Sequence, residues 1–161
     1  MLLLDTHALL WLVRDDPMTQ QALDALEAAQ GAGTLYASAI TAWELGVADL
    51  KRTNRPELGM AAGAWFRRAL RLTGARLATI TSAISAEAAS VPAAYGRGDP
   101  GDCFLIATAR VRHLSLVTRD GPILQLAAAR PSYVQGSRHR TGLDFAHSHR
   151  SELVADVRHG A

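Results

Sequence analysis

The chain has 161 residues, of which 48% are apolar and 20% are charged, and its formal net charge is +2. This length and composition are typical of one ordinary globular domain with a sizeable core. The longest apolar runs, such as ALLWLV, are far too short to span a bilayer, so we expect no membrane span. The single cysteine excludes an intramolecular disulfide, and the opening MLLLDTH lacks the basic segment of a signal peptide. We therefore expect a cytoplasmic protein.

Short apolar segments alternate with helical periodicity along most of the chain. In chain order the sequence predicts strand 2–4, helices 6–13 and 17–29, strand 34–39, helices 40–50 and 56–72, strand 75–80, helices 82–91 and 100–112, strand 114–118, helix 121–129 and an edge strand 132–136. Alternating strands and helices favour an α/β fold with a mostly parallel sheet and helices on both faces.

Several helix ends can be predicted from single residues. Ser82 is a candidate N-cap, Gly74 a candidate helix end, and Pro92 is expected to close the helix before it. Asp99 is expected to cap the next helix, with Pro100 at its first position.

The pattern weakens beyond residue 135. We therefore divide the chain into a domain, residues 1–135, and a polar appendage, residues 136–161, that carries four of the six histidines. In that appendage only residues 151–157 have the pattern of a short helix.

Four acids, Asp5, Glu44, Asp102 and Asp120, follow apolar strands or lie in helices. Carboxylates are rarely buried without a partner, because removing a charge from water is costly. Ligands of parallel sheets bind beyond the carboxyl ends of the strands, so these distant acids are expected to converge there. An all-oxygen ligand set selects Mg²⁺ or Mn²⁺ over zinc, and such sites activate water for phosphodiester chemistry.

The segments around these acids resemble those of the PIN-domain family, and within it the VapC-type ribonuclease toxins. LLLDTHALLWL is similar to the first strand and first acid, and SAITAWELGV to the helix with the second acid. DPGDCFLIATA and LVTRD are similar to the third and fourth blocks. The resemblance implies a three-layer sandwich, Mg²⁺- or Mn²⁺-dependent RNA cleavage that leaves a 5′-phosphate, a homodimer, and neutralisation by a VapB-like antitoxin.

Two features depart from the family pattern. Cys103 stands where many close relatives carry arginine, although a small buried apolar residue is also the ordinary interpretation of such a cysteine. The appendage beyond residue 135 has no counterpart in the family pattern.

Other residues near the acids are candidates for supporting roles. Thr6, Asp99 and Thr118 are candidates for contact with a ligand or an outer-sphere water, against ordinary capping and strand-end roles. Arg97 and Arg119 are candidates for contact with RNA phosphates or an antitoxin, against an ordinary solvated role.

Two other functions compete with a metal-dependent ribonuclease. One is a phosphohydrolase with Asp5 as a covalent nucleophile, but such enzymes usually carry a second acid two residues later, where this chain has His7. The other is a PIN-like module that binds RNA or protein without cutting; the four acids give no sign of an inactive site.

Overall fold

The structure is a computed structural model that describes residues 1–51, 53, 55–96, 98–128 and 153–155. Its strands are β1 (Leu2–Leu4), β2 (Leu35–Ser38), β3 (Arg76–Ala78), β4 (Ser115–Thr118) and β5 (Leu153–Ala155). Its helices are α1 (Thr6–Arg14), α2 (Gln20–Gly31), α3 (Ala39–Asp49), α4 (Ala62–Thr73), α5 (Ser82–Tyr95), α6 (Pro100–Arg112) and α7 (Gly121–Ala128).

The strands form one sheet in the order β3-β2-β1-β4-β5. The first four strands are parallel, with Leu3 of β1 opposite Tyr36 of β2 on one side and Leu116 of β4 on the other. This arrangement confirms the predicted α/β class. The carboxyl ends of β1, β2 and β4 therefore meet at one edge of the sheet, which we call the site edge.

Each face of the sheet carries its own apolar layer. Leu3 and Leu116 pack into the cluster formed with α5 and α6, while Leu4 and Val117 pack into the cluster formed with α1, α3 and α4. Successive strand residues point to opposite faces, so these short strands are buried on both sides. The result is the three-layer sandwich that the resemblance implied.

Helix α4 begins later than the sequence predicted. Its first residue is Ala62, and the preceding residues form a turn in which the Leu58 N–H bonds the Pro56 carbonyl. Buried Leu58 explains the misleading periodicity, because it contributes to the core from a loop. Gly74 ends the helix with a left-handed backbone, as expected.

Helix α5 also differs from the expectation, because it passes through Pro92 and ends only at Tyr95. Ala88 and Val91 are buried against the core, and this packing keeps the last turns helical despite the missing N–H of the proline. Thr81, rather than Ser82, is the N-cap and accepts from the Ile84 N–H.

The end of the chain gives a further correction. Residues 153–155 form strand β5, which pairs antiparallel with β4. The helix expected over 151–157 is therefore wrong at these residues. The open edge of β4 offers backbone groups that favour pairing over an isolated short helix. The expected edge strand 132–136 and the boundary after residue 135 lie outside the described residues, so both stay predictions.

None of the helices described has the length and apolar content needed to cross a membrane.

Candidate metal centre

Asp5 lies at the end of β1, where the strand passes into α1. It is the N-cap of α1, its side chain accepts from the Ala8 N–H, and only 6% of the residue is exposed. Thr118 at the end of the neighbouring strand also hydrogen-bonds this carboxylate. Asp5 is thus held at the site edge mainly by backbone geometry and by β4.

Asp120 follows β4 at the same edge. Its backbone N–H donates to Thr118 Oγ1 at 2.9 Å, and its Oδ1 accepts from the Ile123 N–H at 3.0 Å in the first turn of α7. Thr118 therefore connects both strand-end acids, while its predicted contact with a ligand or an outer-sphere water stays a prediction. Because β1 and β4 are adjacent, the negative charge of Asp120 adds to the raised pKa of Asp5.

Glu44 reaches the site edge from the middle of α3. Its Oε2 accepts a hydrogen bond from the Thr6 hydroxyl, and Thr6 Oγ1 lies 3.2 Å from the buried Thr41 Oγ1. Thr6 itself is buried in the first turn of α1. Thr6 of α1 therefore orients this carboxylate, and Thr41 of α3 contacts Thr6.

Asp102 and Asp99 belong to the start of α6. Asp99 is the N-cap, as predicted, and its Oδ1 accepts from the Asp102 N–H at 3.1 Å. Between them lies Gly101, which is buried directly against the Glu44 carboxyl group. The start of α6 and the middle of α3 therefore approach each other at the site edge.

Two of the acids at this edge, Asp5 and Glu44, have raised pKa values. Burial, followed by repulsion from Asp102, Asp99 and Asp5, raises the pKa of Glu44 to about 7, although the Thr6 hydrogen bond opposes that rise. Burial also raises the pKa of Asp5, and Asp120 adds to the rise, while the hydrogen bonds from Thr118 and Ala8 oppose it. The acids that follow strands and the acids that lie in helices thus contribute to the same repulsion, and a divalent cation would relieve it.

The residues fit a hard cation by chemistry and by position along the edge. As the side chains stand, however, the described part of the chain contains no group of three acids, histidines or cysteines close enough to share one ion. The side chains are satisfied locally, since Asp5 and Asp120 accept from backbone N–H groups and Glu44 accepts from Thr6. A shared cation would therefore require these local hydrogen bonds to rearrange.

Arg119 is occupied in a way that the sequence did not indicate. Its guanidinium carbon lies 3.9 Å from the centre of the Trp11 ring, and its Nη2 donates to the Pro17 carbonyl at 2.8 Å. The arginine thus fastens the segment with Asp120 to α1. Its predicted contact with RNA or an antitoxin stays a prediction, and Arg97 lies outside the described residues.

Sequence reasoning missed two residues at this edge. Thr41 gave no signal, because its contact with Thr6 depends on how α1 and α3 pack. Gly101 did give one: a glycine inside the first turn of a helix is unfavourable, so a close neighbour is a natural explanation. Cys103 is buried, as expected, and burial raises the pKa of its thiol.

The fold and this edge define an α/β domain with carboxylates gathered beyond the ends of parallel strands. Residues 2–128 match the PIN domain family. The chain therefore belongs to the PIN domain family, as the sequence resemblance implied.

Solved structures that are similar to the chain include the following two. A toxin–antitoxin complex from Klebsiella pneumoniae has 24% identity and a TM-score of 0.50, with 74% of this chain and 87% of that chain covered. FitAcB from Neisseria gonorrhoeae has 22% identity and a TM-score of 0.50, with 74% of this chain and 88% of that chain covered. At these identities the likeness shows the fold alone. No curated protein sequence matches the chain.

Proposed function

We propose that the protein is a Mg²⁺- or Mn²⁺-dependent endoribonuclease and the toxin of a VapBC-type pair. The observation that carries the proposal is the placement of four acids along the site edge. Asp5 and Asp120 follow the adjacent parallel strands β1 and β4, and Glu44 of α3 lies against the first turn of α6, which contains Asp102. A divalent cation stabilises the charged forms of carboxylates that lie buried or half-buried near one another. Membership of the PIN domain family, whose members are generally nucleases, adds support.

The proposed ligands are Asp5, Glu44, Asp102 and Asp120. When bound, a divalent cation supplies a water of lowered pKa and offsets negative charge on a phosphodiester. The protein's own contribution is to position the ligands, because threonine hydroxyl groups hydrogen-bond one carboxylate that follows a strand and one that lies in a helix. Thr6 holds Glu44, and Thr118 holds Asp5. This chemistry requires no nucleophile from the protein, which separates it from a phosphohydrolase with a covalent aspartate.

Cleavage can be tested with the purified chain, a labelled RNA and a chromogenic phosphomonoester. Each substrate is incubated with Mg²⁺, with Mn²⁺ and with EDTA, and Asp5→Asn is the control. We expect RNA products with 5′-phosphate ends only in the presence of metal, and no hydrolysis of the monoester. RNA that is bound but remains intact, equally with wild type and Asp5→Asn, would favour the non-cleaving module.

We further propose that the chain forms a homodimer and is neutralised by a VapB-like antitoxin. The similar Klebsiella structure is a toxin–antitoxin complex, and this chain shares its fold. Induced expression is expected to arrest growth, and co-expression of a small neighbouring reading frame is expected to restore it. Arrest that persists with Asp5→Asn would disconnect toxicity from the candidate metal centre.

A further inference from the structure

Gly101 occupies an unusual place for a glycine. It is buried at the second position of α6, where helical dihedrals cost glycine more backbone entropy than they cost alanine. Its backbone does not adopt the left-handed conformation that Gly74 and Gly96 adopt at helix ends. Conformational freedom therefore does not explain why this position carries glycine.

A close neighbour does explain it. A Cβ atom at this position would lie 2.6 Å from Cδ and 3.1 Å from Cγ of Glu44, and Oε1 would be nearer still. By contrast, Gly46 inside α3 has open space where its Cβ would lie. Only the first of these helical glycines thus has a steric reason to lack a side chain.

We propose that Gly101 is a positioning residue, whose missing side chain leaves the space in which the Glu44 carboxyl group stays bonded to Thr6 and faces the start of α6. The carboxyl group is held from both sides, by the Thr6 hydroxyl at Oε2 and by the surface of Gly101 at Oε1. An alanine at 101 would push against the end of a flexible side chain. Glu44 would then rotate away from Thr6 and from the start of α6, while the fold would lose little stability.

The consequence for metal binding rests on the proposed function. If Glu44 is a ligand, its displacement weakens the site in the way that loss of an orienting partner does, by about tenfold or more in affinity. The position of Glu44 does not depend on that function, so the two ideas can fail separately.

The experiment compares Gly101→Ala with the matched control Gly46→Ala. Both variants exchange a helical glycine for alanine, and we expect both to remain folded. The melting temperature should rise by about 2–4 °C for Gly46→Ala and change little for Gly101→Ala, because the lost hydrogen bond of Glu44 offsets the gain in helix propensity. In a crystal structure of metal-free Gly101→Ala, Glu44 is expected to have left Thr6. A structure in which Glu44 keeps that hydrogen bond beside Ala at 101 would overturn the proposal.

Calorimetric titration with Mn²⁺ gives the second readout. We expect about tenfold weaker binding for Gly101→Ala, no change for Gly46→Ala, and no further weakening when Gly101→Ala is added to Glu44→Ala. Equal affinities of Gly101→Ala and wild type would contradict the positioning role. If wild type binds no Mn²⁺, the proposed function fails while the crystal structure still decides the position of Glu44.

A third variant keeps the proposal testable if Gly101→Ala does not fold. Glu44→Ala removes the atoms that the new methyl group would meet. Recovery of folding in the double variant would support the steric explanation, and continued failure would overturn it.

Discussion

Two pairs of acids lie along the site edge, and they are held by different means. The strand-end pair, Asp5 and Asp120, accepts hydrogen bonds from backbone N–H groups in the first turns of α1 and α7. In the helix pair, Asp102 lies in the first turn of α6, while Glu44 is held by a threonine hydroxyl and the bare surface of Gly101. The first arrangement is local in sequence, and the second depends on the packing of three helices.

The strand-end pair is therefore expected to be rigid, and the helix pair is expected to be adjustable. A carboxylate that caps a helix is fixed by the backbone and moves only if the helix end moves. A glutamate side chain with a single hydroxyl partner rotates more freely, so the helix pair is the one expected to adjust to a ligand. Substitutions at the two pairs should therefore have different effects.

The largest effect is expected at Asp5, from the comparison of Asp5→Asn with Asp5→Ala. Both variants should lose RNA cleavage by roughly 10²-fold or more, because neither supplies a charged ligand. Their stabilities should differ, because asparagine still caps α1 and alanine loses about 1 kcal/mol of capping. Thermal unfolding checks the second point, and equal stabilities would show that the cap is not what holds this residue.

The sign of the Asp5→Asn effect on stability can also be predicted. Burial raises the pKa of Asp5 above 3.8, so its contribution to stability is present below that pH and lost as pH rises through the folded-state pKa. At neutral pH without metal, removing the charge should therefore raise the melting temperature. A lower melting temperature than wild type would contradict the direction of this shift.

The second effect concerns pH. The pKa of Glu44 is raised from 4.5 to about 7, so metal must displace a proton in acidic solution. Mn²⁺ affinity is expected to rise about tenfold per pH unit below that pKa and to level off above it. Calorimetry over a pH series measures this slope.

Glu44→Gln is the matched control for the pH series. It should weaken binding and flatten the slope. Without metal, the Glu44 contribution to stability is greatest below pH 4.5 and is lost as the pH rises through about 7, so the glutamine variant should gain on wild type over that range. An unchanged slope in the variant would remove Glu44 from the site.

A third and smaller effect is expected for Thr6→Val, which keeps the shape of the side chain and removes the hydroxyl. Glu44 would lose its hydrogen-bond donor, and Mn²⁺ affinity should fall by about tenfold. Thr6→Ser restores the hydroxyl and should recover most of the affinity. If Thr6→Ser does not recover the Mn²⁺ affinity, the hydroxyl is not what matters and Thr6 acts only through packing.

The smallest effect is expected at Arg119, outside both pairs. Arg119→Met removes the guanidinium from Trp11 and from the Pro17 carbonyl, and about 1 kcal/mol of stability should be lost. RNA binding should keep its salt dependence. Salt dependence is measured as the slope of the logarithm of the RNA-binding constant against the logarithm of salt concentration. A slope that is reduced by about one in Arg119→Met, with unchanged stability, would instead identify an RNA contact.

The same division explains what the sequence could predict. Asp5 and Asp120 follow strands that are apolar and short, so their place at the edge of a parallel sheet could be inferred from chain order alone. Asp99 and Pro100 likewise mark the start of α6 through rules that act within one turn. These features are local, and the structure agrees with them.

Features that depend on packing could not be predicted. The contact of Glu44 with Gly101 requires the approach of α3 to α6, and the stacking of Arg119 on Trp11 requires a loop to meet a distant helix. The passage of α5 through Pro92 is of the same kind, since buried neighbours outweigh a local stop signal.

The pairing of β5 with β4 has a consequence for any shortened form of the protein. The family match ends at residue 128, so a fragment cut there would contain the whole matched region, yet it would lack Leu153–Ala155. The backbone groups of β4 that face β5 would then be open to strands of other molecules. Such a fragment is expected to self-associate through this edge, although every carboxylate of the candidate metal centre would still be present.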